Sequence, residues 1–204
     1  QYFRLQPAFV KMLRQKWGND RMPFYFTQIA PYKYEDPAKP EGGYMMWAQA
    51  QTLELIPYSG MATTHDAGEL ACIHPANKKA VGDRLAYMAL NRNYGFSRVS
   101  CDSPEAVKCY RMQNSCELAV ELTNAENGLN RWMEIEGLEV AGSEGIFYPV
   151  TYAYFEGYPK VLRIRSEFVH DPCEVRYGWG DFKPGNLKNI EGLPVAPFWV
   201  KIEE

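Results

Sequence analysis

The sequence has no long apolar run and no cluster of basic residues, and both absences exclude classes of function. Its uninterrupted apolar segments are only a few residues long, far short of the roughly 20 residues that span a bilayer. With a formal net charge of −3 and no run of Lys or Arg, the chain has no long-range attraction to phosphate backbones or anionic lipids. We therefore expect neither a membrane nor a nucleic acid as a partner.

The cysteines also lack the spacing of a metal site. They lie at positions 72, 101, 109, 116 and 173, without a C-x-x-C pair and without a histidine at metal-ligand spacing. We therefore expect no metal and no other cofactor. The number of cysteines is odd, and the sequence leaves open whether some form a disulfide or all are free thiols.

An initiator Met and a signal-like start are missing as well. The chain opens with Gln1 and at once shows a helical pattern, without the basic-then-apolar order of a signal peptide. We interpret this opening as the continuation of a longer polypeptide. The composition is that of a folded protein, since 46% of the residues are apolar and 23% are charged.

The first half of the sequence alternates between helical and strand-like segments. Apolar spacing predicts helices over residues 3–17, 44–56 and 78–94, and short apolar runs predict strands over 23–31 and 61–64. Helix, strand, helix, strand, helix is the order of an open parallel α/β sheet. Only two of its strands are visible in this sequence.

The pattern changes near residue 96. Short strand-like segments then follow one another, separated by turn signals such as Asn127-Gly128 and Glu156-Gly157, at spacings typical of an antiparallel β-sandwich. The predicted strands cover 106–111, 116–121, 132–140, 147–155, 161–165 and 174–178. We expect two domains, residues 1–95 and 96–204.

The segment between the second predicted strand and the third predicted helix contains two of the three histidines. Ligands of open α/β sheets lie beyond the carboxyl ends of the strands, where this loop is expected. His74 precedes Pro75 at the start of a helix, and an imidazole there could accept and return a proton. Taken alone, His74, like His65, is more often structural, and we expect His170 in a turn.

Residues 74–86 carry a longer motif. They read HPANKKAVGDRLA, which resembles the His-Pro-x-Asn-Lys-x-x-Val-Gly-x-Arg-Leu block of the sialate O-acetylesterases, members of the SGNH (GDSL-like) hydrolase superfamily. Three further blocks follow the order of that family, and together they extend the resemblance over essentially the whole chain: residues 23–31, then 50–51 with 60–62, then 176–179 with 186–198.

The resemblance implies a fold and an enzyme. It implies the C-terminal part of a flavodoxin-like SGNH-hydrolase parallel sheet, followed by an Ig-like or jelly-roll-like β-sandwich. The family members are secreted or periplasmic carbohydrate esterases that remove O-acetyl groups from sialic acid or related glycans. A serine attacks the acetyl carbonyl, and by the resemblance His74 is its general base and acid.

The nucleophile itself does not occur in this sequence. Neither the Gly-Gln-Ser-Asn segment nor the Gly-Glu-x-Asn segment of the family is present, and both precede the first helix in family members. We therefore expect the serine to lie in an N-terminal part of the same protein, and this chain to be inactive alone. A non-catalytic, carbohydrate-binding fragment and a xylan or other polysaccharide acetylesterase are the alternatives.

The residues around His74 depart from the family in one respect. Many relatives place an Asp two residues before the histidine, where this chain has Cys72. Asp66 and Glu69 are the nearest acids that could orient the imidazole, and a Ser-His dyad is the other possibility. Cys72 could also be read as a nucleophile, although a structural role is more common.

Other positions carry weaker predictions. Gln28, at the end of a predicted strand, could line the acyl site or could be a polar residue at the edge of the core. Ala48 replaces an Arg that relatives often carry. A group of aromatic residues could form a sugar-stacking platform, or more commonly the core of the sandwich and its interface: Trp132, Tyr148, Tyr152, Tyr154, Phe155, Tyr177 and Trp179.

Overall fold

A computed structural model describes residues 1–34, 40–113, 115–130, 134–158 and 160–202. The elements of its first half are α1 (Tyr2–Trp17), β1 (Phe24–Thr27), α2 (Glu41–Gln51), β2 (Ser59–Ala62) and α3 (Lys78–Asn93). The strands of its second half are β3 (Glu105–Arg111), β4 (Leu118–Thr123), β5 (Leu138–Ala141), β6 (Phe147–Pro149), β7 (Tyr152–Gly157), β8 (Lys160–Arg165), β9 (Glu174–Tyr177) and β10 (Phe198–Lys201). None of the helices so described is long and apolar enough to cross a membrane.

The first half is built around two short parallel strands. β1 pairs with β2 over four residues, from Phe24 opposite Ser59 to Thr27 opposite Ala62. α3 packs against both strands, and α1 packs against α2. α3 begins after Asn77, whose side-chain oxygen accepts a hydrogen bond from the Ala80 N–H at 3.2 Å, a common way to satisfy a free donor at a helix start.

The second half consists of two four-stranded antiparallel sheets. Their strand orders are β10-β9-β5-β6 and β3-β4-β8-β7. The central strands are rich in branched apolar residues, which suit a pleated surface that is buried on one face. Inward-facing side chains such as Leu118, Val120, Leu162, Ile164 and Val175 form the main core and are at most 1% exposed.

The predicted fold class is wrong. A flavodoxin-like parallel sheet is absent from the residues that the structure describes: their parallel sheet has two strands of four residues, whereas eight strands lie in antiparallel sheets. The alternation of helices and strands is a local pattern of the sequence, and such a pattern does not show how many strands share one sheet. The division into domains at residues 95 and 96 stays a prediction.

The two halves touch through their backbones. The Tyr32 N–H donates a hydrogen bond to the Asp181 carbonyl at 2.8 Å, and the Gly42 N–H donates to the Asp181 carboxylate at 2.7 Å. A Cβ atom at Gly43 would lie only 2.9 Å from the backbone nitrogen of Gly180. The first turn of α2 can therefore approach the second half this closely because it carries no side chains there.

Candidate functional site

His74 lies on the loop between β2 and α3, where its side chain is exposed. The loop is folded by its own contacts. The Glu69 carboxylate accepts a hydrogen bond from the Ala76 N–H at 2.6 Å, and the Cys72 thiol donates to the His74 carbonyl at 3.3 Å. Pro75, directly after the histidine, is buried. These contacts hold the backbone on both sides of His74 and leave its imidazole facing solvent.

The imidazole has no partner in the part of the chain that the structure describes. The hydrogen bond at this residue involves its backbone carbonyl, and no ring nitrogen of His74 is engaged. A free, solvent-facing ring can exchange protons with a reactant that approaches from outside. The structure thus places the predicted catalytic histidine at an accessible position, and no carboxylate of the described residues bonds its ring.

Asp66 is occupied by other partners. Its two oxygens accept hydrogen bonds from the two terminal nitrogens of Arg84, each at 2.8 Å, and Lys188 of the second half lies 2.7 Å away. Burial by itself would raise the pKa of Asp66, but the bonds from Arg84 and Lys188 outweigh it and hold the pKa below its ordinary value. Asp66 thus stays ionised and ties the loop to α3 and to the second half.

Arg84 adds a further tie to the same loop. It is 6% exposed, and one of the two nitrogens that bond Asp66, Nη1, also donates to the Thr63 carbonyl at 2.6 Å. A buried guanidinium with this many partners is well compensated for its lost hydration. Arg84 lies within the block that carries the family resemblance. In this structure it holds the start of the loop between β2 and α3, residues 63–77, which is called the histidine loop below.

His65 is the buried histidine of the loop. It is 1% exposed, and its Nε2 accepts a hydrogen bond from the Gly185 N–H at 2.8 Å. Nδ1 has no hydrogen-bond partner among the described residues. Burial lowers the pKa of His65 to about 4, although the nearby Asp66 carboxylate acts in the opposite direction. His65 is therefore neutral at physiological pH and joins the two halves.

A glycine makes room for this histidine. Gly178 has φ +59°, and a Cβ atom there would lie 2.3 Å from the His65 ring. A side chain at position 178 would be strained by its backbone and would displace the ring. Local sequence patterns do not predict this contact, because Gly178 and Gly185 are more than 100 residues from His65 along the chain.

The remaining predicted site residues lie in different surroundings. Gln28 is 1% exposed; its amide donates to the Met46 carbonyl at 3.0 Å and accepts from the Thr64 N–H at 3.4 Å. It therefore joins the end of β1 to α2 and to the histidine loop. Cys72 is an exposed free thiol that bonds the His74 carbonyl instead of the ring, which does not support activation by the imidazole.

The cysteines and acids do not assemble into a metal site. None of the five cysteines, all of which lie in the described ranges, forms a disulfide, and two of them, Cys101 and Cys109, are buried. Within the described ranges, no group of three or more His, Cys, Asp or Glu side chains is placed to hold a metal ion.

The aromatic residues of the second half divide between the core and the junction. Tyr177 is fully buried, and its hydroxyl accepts a hydrogen bond from the Leu187 N–H at 2.9 Å. Trp179 lies at the junction, where its ring packs edge-on against Tyr44 of α2 and Trp199 of β10.

Trp132 lies outside the described residues. Tyr148 and Phe155 pack against the core, and Tyr152 and Tyr154 form a tilted pair on β7.

A cavity of about 640 Å³ lies next to the histidine loop. Leu70 of that loop contributes one wall, and Trp179, Phe182 and Lys183 of the second half contribute the other. Such a volume is within the range of small-molecule sites. Both halves of the chain therefore line the space next to Leu70 of this loop.

Comparisons with known proteins show a similarity to a solved structure. No family model matches the chain, and a search of curated proteins finds no match. Among solved structures, the chain is similar to a crystal structure described as a novel carbohydrate acetylesterase from Xanthomonas citri, with a TM-score of 0.86 and 28% sequence identity. The match covers 98% of this chain and 46% of the other, so the chain spans less than half the length of its structural neighbour.

Proposed function

We propose that this chain is the histidine-bearing part of an esterase that removes acetyl groups from a carbohydrate. The observation that carries the proposal is the exposed imidazole of His74, which is held by its backbone and has no competing partner in the described ranges. The similarity to a carbohydrate acetylesterase over 98% of the chain supports the same reaction class.

The reaction needs a nucleophile from outside this chain. A serine in a further part of the same protein attacks the acetyl carbonyl carbon while His74 removes the hydroxyl proton. The tetrahedral intermediate collapses as the protonated His74 returns that proton to the departing sugar oxygen. Water then attacks the acetyl-serine and gives a proton to His74, which passes it back to the serine oxygen as acetate leaves.

A Ser-His dyad fits this chain better than a triad that uses Asp66. Both oxygens of Asp66 bond Arg84, and Lys188 lies against one of them. Turning this carboxylate toward His74 would leave a buried guanidinium without its counter-charge, at a cost of about 3–5 kcal/mol. The Glu69 carboxylate bonds the Ala76 N–H, so its contribution is to shape the loop.

The finer assignments follow the family resemblance. We propose O-acetylated sialic acid or a related glycan as substrate and a secreted or periplasmic location for the enzyme. An acetylated xylan or other polysaccharide would be hydrolysed by the same steps. The competing hypothesis, a carbohydrate-binding fragment without a catalytic role, draws on the lack of a hydrogen-bond partner for the His74 ring among the residues described here.

One substitution separates an enzyme from a binding fragment. In the longer protein, we expect His74→Ala to lower the rate of p-nitrophenyl acetate hydrolysis by at least ~10²-fold, the effect of removing a general base. His170→Ala is the matched control, because His170 is also an exposed histidine but lies in the second half. Equal rates in both variants would show that His74 has no catalytic role. The 204-residue chain alone should have no activity.

A further inference from the structure

A second open surface lies between α2 and β10, and it is lined by aromatic rings. Two adjoining cavities of about 490 and 230 Å³ share Trp47 and Trp199 in their walls. Tyr44 and Trp179 complete the smaller cavity, whereas Glu54 and Glu105 line the larger one. We call the surface formed by these six residues the aromatic groove.

Three of the four rings of the groove are accessible. Tyr44 is 48% exposed, and Trp47 and Trp199 are half-buried, whereas Trp179 is buried. Edge-on and tilted contacts hold three of the rings together: Tyr44 packs against Trp179 and Trp199, with ring centres 5.1 and 6.4 Å apart. Aromatic rings fixed in this way offer flat apolar surface at little entropic cost on binding.

The rim of the groove is polar and mainly acidic. The indole N–H of Trp199 donates to the Glu174 carboxylate at 2.8 Å, and Lys201 pairs with the same carboxylate at 2.7 Å. Glu54 is exposed and Glu105 is half-buried. If a purely apolar protein surface covered the groove, it would bury these charges without new partners, at a cost in free energy. A ligand with hydroxyl groups can instead donate hydrogen bonds to the carboxylates.

The groove shares a wall with the cavity next to the histidine loop. Trp179 lines the smaller cavity of the groove and also the cavity that Leu70 of that loop lines. A chain-like ligand that lies across the rings of the groove would therefore approach the wall that the two spaces share.

We infer that the aromatic groove is a binding subsite for an uncharged chain of pyranose sugars. The C–H faces of such sugars pack on aromatic rings, and their hydroxyl groups suit the carboxylates of Glu54 and Glu105. An anionic glycan would meet the negative charge of Glu54 there. The inference rests on the proposed function only for a carbohydrate as ligand. Of the substrates proposed there it favours an uncharged polysaccharide over sialic acid, which carries a carboxylate, and the binding site it assigns is separate from His74.

Direct binding to the 204-residue chain tests this inference. The probes are cellotetraose and xylotetraose, which are uncharged, and trigalacturonate, which is anionic. We expect at least one uncharged probe to bind at millimolar or lower concentration by calorimetry and to change the tryptophan fluorescence, and trigalacturonate to bind more weakly. Trp199→Ala and the less buried Tyr44→Ala should each weaken binding about tenfold or more.

Trp17→Ala is the control, because Trp17 is a 74% exposed tryptophan on α1 that does not line the groove. Three results would overturn the inference: no binding of either uncharged probe, equal affinities in all three variants, or tighter binding of trigalacturonate. Binding to this chain but not to the longer protein would also overturn it, because the added polypeptide would then occupy the groove. Esterase activity without probe binding would refute the assignment of the groove as a sugar-binding subsite but not the proposed function. Probe binding without esterase activity would refute only the proposed function.

Discussion

The two halves of this chain are stabilised in different ways. Among the described residues, the second half buries sixteen in one apolar cluster. The cluster that includes first-half residues has three buried members, Ala62 and Met88 of the first half and Cys101 of the second. Large apolar side chains of α1 remain exposed there: Phe3, Leu5, Phe9, Met12 and Trp17.

This difference shows what each half depends on. Burial of apolar surface is the main stabilising term in folding, and the second half has enough of it to support its own sheets. The first half instead relies on hydrogen bonds and ion pairs, called polar ties here. Asp66 joins the loop after β2 to Arg84 of α3 and to Lys188 of the second half, and His65 accepts a hydrogen bond from Gly185 of the second half. Four measurements can test this contrast.

Removal of the Asp66 carboxylate should have the largest effect. Asp66→Ala leaves the 6% exposed Arg84 without its counter-charge, and we expect a loss of about 3–5 kcal/mol in the free energy of unfolding. Asp83→Ala is the control, because Asp83 forms an exposed ion pair with Lys79 on α3 and should cost about 0.5 kcal/mol or less. Urea unfolding measures both. Similar losses would mean that the polar ties are not what stabilises the first half.

Two leucines compare the apolar contributions directly. Leu118 is fully buried in β4, whereas Leu5 on α1 is 64% exposed. We expect Leu118→Ala to lower the free energy of unfolding by about 2–5 kcal/mol and Leu5→Ala to change it by about 0.5 kcal/mol or less. A large loss for Leu5→Ala would show that α1 is packed in solution, in this chain or in an oligomer of it.

Acid should weaken the junction through His65. Its pKa is about 4 in the folded state and about 6.5 when unfolded, so the unfolded chain binds more protons between these values. The stabilisation is fully present above about pH 6.5 and is lost as the pH falls toward 4, by about 3 kcal/mol. His65→Gln keeps an acceptor for the Gly185 N–H but does not titrate. Its stability should vary less over this range, and parallel curves for the two proteins would refute the assignment.

Glu105 should act in the opposite direction, with a smaller effect. Burial, together with Asp102 and Glu54, raises its pKa to about 7. Its folded-state pKa exceeds the unfolded value, so stability is highest below about pH 4.5 and falls as the pH rises through 7. Glu105→Gln should raise the free energy of unfolding by about 1–3 kcal/mol near pH 8 and change it little near pH 4. A variant that is destabilised at both pH values would show that the carboxylate is well solvated.

Sequence patterns predicted the elements better than their arrangement. α1 and α3 agree with the predicted helices to within one residue at each end, because their apolar spacing is regular. α2 begins three residues before the prediction. Its first turn contains Gly42 and Gly43, which are poor helix formers, and the Asp181 carboxylate of the second half accepts the Gly42 N–H. A contact so distant in sequence cannot be read from local pattern.

The strands show the same limit. The segment 147–155 was predicted as one strand but forms two, β6 and β7, because Pro149 ends the first. β10 was not predicted, since Pro194 and Pro197 precede it and it depends on pairing with β9. The position of His74 on the loop after β2 agrees with the expectation from sequence, and its catalytic role stays a prediction.

The glycines at the start of α2 have a consequence for selectivity. Side chains can change rotamer to absorb a displacement, whereas two backbones in direct contact cannot. Because Gly43 lies against Gly180 in this way, α2 and the segment after β9 pack with no side chain between them. A Cβ atom at position 43 would also lie 3.5 Å from the Trp179 ring, so a larger residue there would separate Tyr44 from Trp179 and change the shape of the aromatic groove.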